Sequence, residues 1–110
     1  MTRIHLIGIG GTGLSAIARI LLETGYAVSG SDRAESPFTL DLRSLGATIT
    51  IGHRPENVAG ADIVVRSSAI PDDNPEVAAA RAAGITVLKR ADFLGSLMEG
   101  KTVIAIAGTL

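Results

Sequence analysis

Apolar residues along this chain fall into short β-branched runs, separated by stretches where they recur every three or four positions. The first run, Arg3 to Ile9, predicts a strand. In Thr12 to Thr24 the apolar positions Leu14, Ile17, Ala18, Leu21 and Leu22 share one helical face, and Gly25 follows as a C-terminal cap. Ala27 to Ser31 predicts a second strand closed by Asp32. Phe38 to Leu45 predicts a short helix stopped by Gly46, and "ATITI" a third strand running into Gly52-His53. Ile63 to Arg66 predicts strand four. Asn74-Pro75 opens the next helix, with Asn as N-cap and Pro in the first turn, and Gly84 ends it. "ITVLK" predicts strand five, Ala91 to Met98 a further helix, and Val103 to Ala107 a final strand running into Gly108-Thr109.

Strands that alternate with helices predict a parallel sheet with helices on both faces. Right-handed crossovers then favour a Rossmann-like three-layer α/β domain, its sheet of about five strands in the order 3-2-1-4-5. At 110 residues the chain holds one domain with one modest core. Hydrophobic residues make up 46% but aromatics only 3%, so that core is expected to be aliphatic, as in buried parallel sheets. A net charge of −1 argues against nucleic acid or an anionic membrane as partner. No cysteine is present, which removes disulfides, thiolate metal sites and thiol nucleophiles and fits a cytoplasmic protein. No apolar run approaches the ~18 residues of a membrane span. A glycine cluster and Arg19 interrupt the apolar N-terminal stretch, which argues against a signal peptide.

Candidate chemistry centres on "GIGGTG", which sets Gly8, Gly10 and Gly13 in G-x-G-x-x-G spacing between a strand and a helix. The first glycine permits a tight turn, the second lets a phosphate approach the backbone, and the third lets helix and strand pack closely. With Gly11 and Thr12, the free N–H groups and the helix dipole favour an anion. Ser15 in the first turn either adds a hydroxyl to a phosphate or bonds its own backbone. Asp32, roughly 20 residues on, stands where an acidic residue bonds a ribose hydroxyl, or is an unrelated turn aspartate.

In the expected strand order the loops after strands one and four face each other across the ligand crevice. Ser67, Ser68 and the backbone around Ala69 would read a polar ring or bond phosphate there; the alternative is an ordinary polar turn. Asn74 serves as an N-cap or contacts ligand. Asp72 and Asp73 read as solvated loop charges. His53, on the same sheet edge, is a ligand contact or a surface histidine, and no partners at metal-ligand spacing surround it, so no metal is expected. No nucleophile–base pair or paired carboxylates stand out. By its own residues the chain is a binding module for a nucleotide-like ligand.

"IHLIGIGGTGLSAIA", "GYAVSGSD", "GATITIGH", "SSAIPDDNPEVAAAR" and "AIAGT" occur in this order. Together they closely resemble the N-terminal domain of the Mur ligases of peptidoglycan synthesis, and within the family the member that adds L-alanine to UDP-N-acetylmuramate. The resemblance covers essentially the whole chain. It implies an ATP- and magnesium-dependent enzyme of the bacterial cytoplasm, in which the substrate carboxylate becomes an acyl phosphate and the L-alanine amine attacks it. It implies that residues 1–100 form the UDP-substrate domain. The glycine loop with Ser15 would take the diphosphate, and Asp32, His53, Ser67 and the Ser68-Ala69 turn would surround the uridine. Residues 101–110 would be the first strand of the central ATPase domain, with Gly108 and Thr109 beginning its phosphate loop. The chain is then expected to break off at a domain boundary, and Leu110 departs from the family's usual residue. The lysine of that loop, the metal-binding residues and the amino-acid site would lie elsewhere, so these residues are expected to bind without catalysing. The final strand, if free, would pack on the sheet edge, pair with another copy or be disordered. Two alternatives share parts of the pattern. A muropeptide-recycling ligase of the same family, which attaches a tripeptide, is expected to carry a different glycine loop. A stand-alone NAD-binding regulatory domain would not explain "SSAIPDDNPE" or "AIAGT".

Overall fold

The computed structural model describes residues 2–108. Its elements in chain order are β1 (Arg3–Ile7), α1 (Thr12–Glu23), β2 (Ala27–Asp32), α2 (Pro37–Ser44), β3 (Thr48–Ile51), a 3₁₀ turn (Pro55–Val58), β4 (Ile63–Arg66), α3 (Pro75–Ala82), β5 (Thr86–Lys89), α4 (Arg90–Met98) and α5 (Val103–Ala107). The five strands form one parallel sheet in the order β3-β2-β1-β4-β5, as the alternation of elements predicts.

The two faces of the sheet differ in chemistry. Alternate residues of a strand point to opposite sides. Ile4 and Leu6 of β1, Val28 of β2, and Ile63 and Val65 of β4 meet Leu14, Ile17, Ala18 and Leu21 of α1, Leu42 of α2 and Phe93 of α4 in the main core. Gly30 lies against Ile9: a Cβ there would stand 2.5 Å from the Ile9 Cδ1. The opposite face carries Ile7 and Val64, covered by Val77 and Ala80 of α3 and by Val58 of the 3₁₀ turn. It also carries His5, which is buried, and Ser31 beside it. The expectation of helices on both faces therefore holds, but the second face has only α3 and a short turn.

Two local differences from expectation have clear causes. β1 ends at Ile7 rather than Ile9 because Gly8 turns the chain at φ +84, and the Gly8 and Ile9 N–H groups both donate to the Ser31 carbonyl at 2.8 and 3.0 Å. The 3₁₀ turn was not anticipated: Pro55 opens it, and Val58 gives it one apolar anchor.

The larger difference is at the end. Val103 to Ala107, expected as a strand, is the helix α5. Thr102 caps it, its side chain accepting from the Ala105 N–H at 3.2 Å, and Gly108 closes it in the left-handed region at φ +76. Val103 and Ala107, four apart, are buried in the main core beside α1 and α4, and the Ala107 carbonyl accepts from the Thr86 hydroxyl of β5 at 3.2 Å. The run comes off α4 on the helical face of the sheet, not in its plane. Among the described residues no strand pairs with it, and its N–H and C=O groups are satisfied by closing on themselves as a helix. It packs against the body of the fold through Val103 and Ala107, and as a helix it presents no free strand edge of the kind expected. Gly108 is a helix cap, and Thr109 lies outside the described residues.

Candidate functional site

A cleft of about 440 Å³ opens at the C-terminal ends of the strands, between the loops that follow β1, β2, β3 and β4. Gly8, Gly10 and Gly11 form one wall, Asp32 to Ser36 another, and His53, Ser67, Ala69 and Ile70 close it. It lies where strand order reverses, the position at which open α/β sheets hold ligands.

The glycine loop is shaped by its neighbours. The Gly11 N–H donates to the Gly8 carbonyl at 3.0 Å, making a tight turn. A Cβ on Gly8 would stand 3.2 Å from the Ser67 Cβ, so the loops after β1 and β4 touch here. The Gly10 N–H donates to Asp32 Oδ2 at 2.8 Å, and a Cβ on Gly10 would stand 2.8 Å from the same oxygen. At Gly10, then, the backbone N–H and the space left by the missing side chain already serve Asp32 within the protein. Gly13 differs from expectation too: it makes room for the Arg90 side chain at the start of α4, whose Cδ would stand 2.8 Å from an added Cβ. Helix α1 has Gly11 as its N-cap, with no side-chain cap and no acidic residue in its first turn. Its N-terminal N–H groups and dipole are therefore available to an anion.

Asp32 accepts the Gly10 N–H on one oxygen and the Arg33 N–H on the other, at 2.8 Å, and still faces the cleft. Ser67 accepts the Ala69 N–H at 3.3 Å, and its carbonyl accepts the Ile70 N–H, which folds residues 67–70 into a turn. Below that turn the buried Arg66 guanidinium pairs with Asp72 and donates to the Ile70 carbonyl at 2.9 Å. Hydrogen bonding and charge from Arg66 hold the Asp72 carboxyl below its usual range. Asp72, expected as a free loop charge, is therefore the exposed half of the clasp that holds this loop.

Not every expected residue reaches the cleft. Thr12, Gly13, Ser68 and Asn74 are not on its wall. Ser15 is buried and donates to the Thr12 carbonyl at 3.0 Å, which is its backbone-bonding alternative. Asn74 accepts the Glu76 N–H at 2.9 Å as the cap of α3.

Two residues behind His53 escaped the sequence reading. Glu76, fully buried in the first turn of α3, accepts from His5 Nε2 at 2.5 Å, from the Ser31 hydroxyl at 2.9 Å and from His53 Nδ1 at 2.9 Å. Burial opposes its ionisation, but these donors outweigh burial and hold its carboxyl below the usual glutamate range. The signal was faint: His5, Ser29 and Ser31 are polar residues at alternating positions of β1 and β2, on the face that α3 covers. Among the described residues no group of three or more His, Cys, Asp or Glu is arranged to hold a metal ion, and no helix is long and apolar enough to cross a membrane.

A family model described as "Mur ligase family, catalytic domain" matches residues 3–102. The UDP-N-acetylmuramate–L-alanine ligase of Polynucleobacter asymbioticus is 59% identical over 107 residues, which is 97% of this chain and 22% of that protein. Among solved structures, the UDP-N-acetylmuramate–alanine ligase of Thermotoga maritima superposes with a TM-score of 0.85 at 34% identity, covering 90% of this chain and 23% of that one. The UDP-N-acetylmuramate:L-alanyl-γ-D-glutamyl-meso-diaminopimelate ligase of Neisseria meningitides superposes with a TM-score of 0.78 at 30% identity, covering 86% of this chain and 30% of that one. The chain thus spans 22–23% of the length of the curated relatives it matches. A match over nearly the whole chain, on a sheet of the expected order with its cleft at the switch point, shows that the chain belongs to the Mur ligase family.

Proposed function

We propose that this cleft binds the uridine diphosphate part of UDP-N-acetylmuramate, for an ATP-dependent ligase that joins L-alanine to that sugar in bacterial peptidoglycan synthesis. The observation that carries the reading is the convergence on one cleft of an uncapped helix N-terminus with Asp32 and His53. The helix end suits a diphosphate; the carboxylate and imidazole suit the hydroxyls and ring of a nucleoside. The L-alanine-adding member is preferred over the tripeptide-attaching one because the likeness to the Thermotoga enzyme is greater in both identity and TM-score.

On this reading residues 1–100 are the substrate domain, and residues 101–110 lead into the ATP-binding domain of the longer protein. Gly8, Gly10, Gly11 and the first turn of α1 (Thr12, Gly13) take the diphosphate, while Asp32, His53, Ser67 and Ala69 surround the uridine. Ser15 and Asn74 act from behind the wall, by shaping the loops that carry it, and Ser68 stands exposed on the turn after β4, next to Ser67 and Ala69. On the same reading ATP and magnesium belong to the rest of the longer enzyme, and this chain binds the substrate without catalysing. The site of action is the cytoplasm.

Calorimetric titration of the chain with UDP-N-acetylmuramate, and with NAD in parallel, tests the reading. Heat from the UDP-sugar alone is expected. Heat from NAD alone, or from neither, goes against it.

A further inference from the structure

The imidazole of His53 stands on the cleft wall with its two nitrogens in unlike surroundings. Nδ1 points inward, 2.9 Å from Glu76 Oε2 and 3.1 Å from the Ser31 hydroxyl. Both neighbours are acceptors towards it. A carboxylate has no proton to give, and Ser31 spends its single proton on Glu76 Oε1 at 2.9 Å. Nδ1 must therefore carry the proton. Nε2 has no hydrogen-bond partner among the described residues.

Glu76 is built to hold this arrangement. It is fully buried, and His5 Nε2 donates to its other oxygen at 2.5 Å. The His5 ring is in turn oriented by the Ser29 hydroxyl on its Nδ1, at 2.8 Å. The Glu76 backbone is pinned by the Asn74 cap at 2.9 Å, and the Asn57 amide approaches Oε2 at 3.5 Å. The carboxylate thus has donors on both oxygens and little freedom to turn. A buried carboxylate behind an imidazole selects the ring's tautomer and orientation.

We propose that Glu76 is the positioning residue of the cleft: it fixes His53 in the Nδ1–H form, so that a bare Nε2 faces the ligand as an acceptor. Such an acceptor selects a donor on the nucleoside, either a ribose hydroxyl or the imide N–H of a uracil-type base. It disfavours a base that offers only acceptors at that point. The assignment of Glu76 stands on the protein's own hydrogen bonds; only the identity of the ligand rests on the substrate reading above.

Nitrogen-15 NMR of the His53 side chain, with uridine diphosphate as probe, tests it. In the free wild-type protein at neutral pH, a protonated Nδ1 and a bare Nε2 are expected. Glu76→Gln can turn an amide N–H towards Nδ1, so the variant should shift His53 to the Nε2–H form. It should also weaken uridine diphosphate binding about tenfold, as one donor comes to face another. A protonated Nε2 in the free wild type, as the other tautomer or as imidazolium, overturns the proposal. So does a folded Glu76→Gln variant that keeps both the wild-type tautomer and the wild-type affinity. If Glu76→Gln does not fold, the wild-type tautomer alone decides. If the wild type shows the expected tautomer but does not bind uridine diphosphate, the substrate reading fails while the positioning role stands.

Discussion

Gly10 shows how one residue can serve a fold and a site together. Its N–H is held by Asp32, and the space a side chain would need is taken by Asp32, Thr39 and Ser36. Gly10→Ala would force a Cβ to within 2.8 Å of a carboxylate oxygen. Either Asp32 retreats, losing its bond to the loop, or the loop moves away from β2. The expected result is a loss of about 1–3 kcal/mol of stability, the usual cost of overpacking, measured by urea denaturation. Affinity for uridine diphosphate should fall at least about tenfold, read by calorimetry, because the loop and the carboxylate shift together. The glycine spacing was legible in the sequence. The reason for it was not: at Gly10 and Gly13 the space goes to Asp32 and Arg90, one from β2 and the other from α4.

At the scale of elements, helix-start signals read true where they are local. Ser36 caps α2 through a reciprocal bond with Thr39, and Asn74 caps α3. Val103 to Ala107 is the instructive exception. Its β-branched start and short length suit a strand, but a strand requires a partner, and among the described residues none lies alongside where this run leaves α4. Thr102 then acts as an N-cap, and the spacing that matters is the four positions that separate buried Val103 from buried Ala107. Thr102→Ala should cost about 1 kcal/mol and loosen α5 first. Backbone chemical shifts and amide exchange across residues 103–107 would report it, against unchanged protection in β1 and β4. Extended-strand shifts for that run in the wild type would contradict the helix.

Across the whole molecule the sheet divides an apolar face from a partly polar one. The main core, on the side of α1, α2, α4 and α5, is held by burial of aliphatic side chains and Phe93. On the other side α3 is tied to β1, β2 and the turn after β3 by one ionised carboxylate, Glu76. Its folded pKa lies below the ordinary glutamate value of 4.5. The unfolded chain therefore takes up the proton first as pH falls. The stability that Glu76 contributes is complete above its ordinary pKa and is lost as pH drops through the lower folded value. Between about pH 6 and pH 3 the melting temperature of the wild type should fall more than that of Glu76→Gln, which lacks the titrating group. Equal falls in the two proteins would remove Glu76 from the acid response. Amide protection should be lost on α3 before α1, since acid leaves the apolar side intact.

Much of this protein is set by short-range rules that its sequence displays. Apolar periodicity separates strands from helices, glycines stop the helices, and the handedness of crossovers leaves the order 3-2-1-4-5 with a cleft between the loops after β1 and β4. Gly8, Asp32, His53 and Ser67 could be placed on that cleft from topology alone. What only the tertiary structure decided are contacts between residues far apart in the chain. His5 and Glu76 are separated by 71 positions, and no periodicity marks them as partners. Burial forces each polar group to find whatever donor or acceptor packing brings near, and that choice made a buried glutamate the support of His53. The same reasoning covers the final run, whose residues allow strand or helix. Burial of Val103 and Ala107 together in the main core decided for the helix.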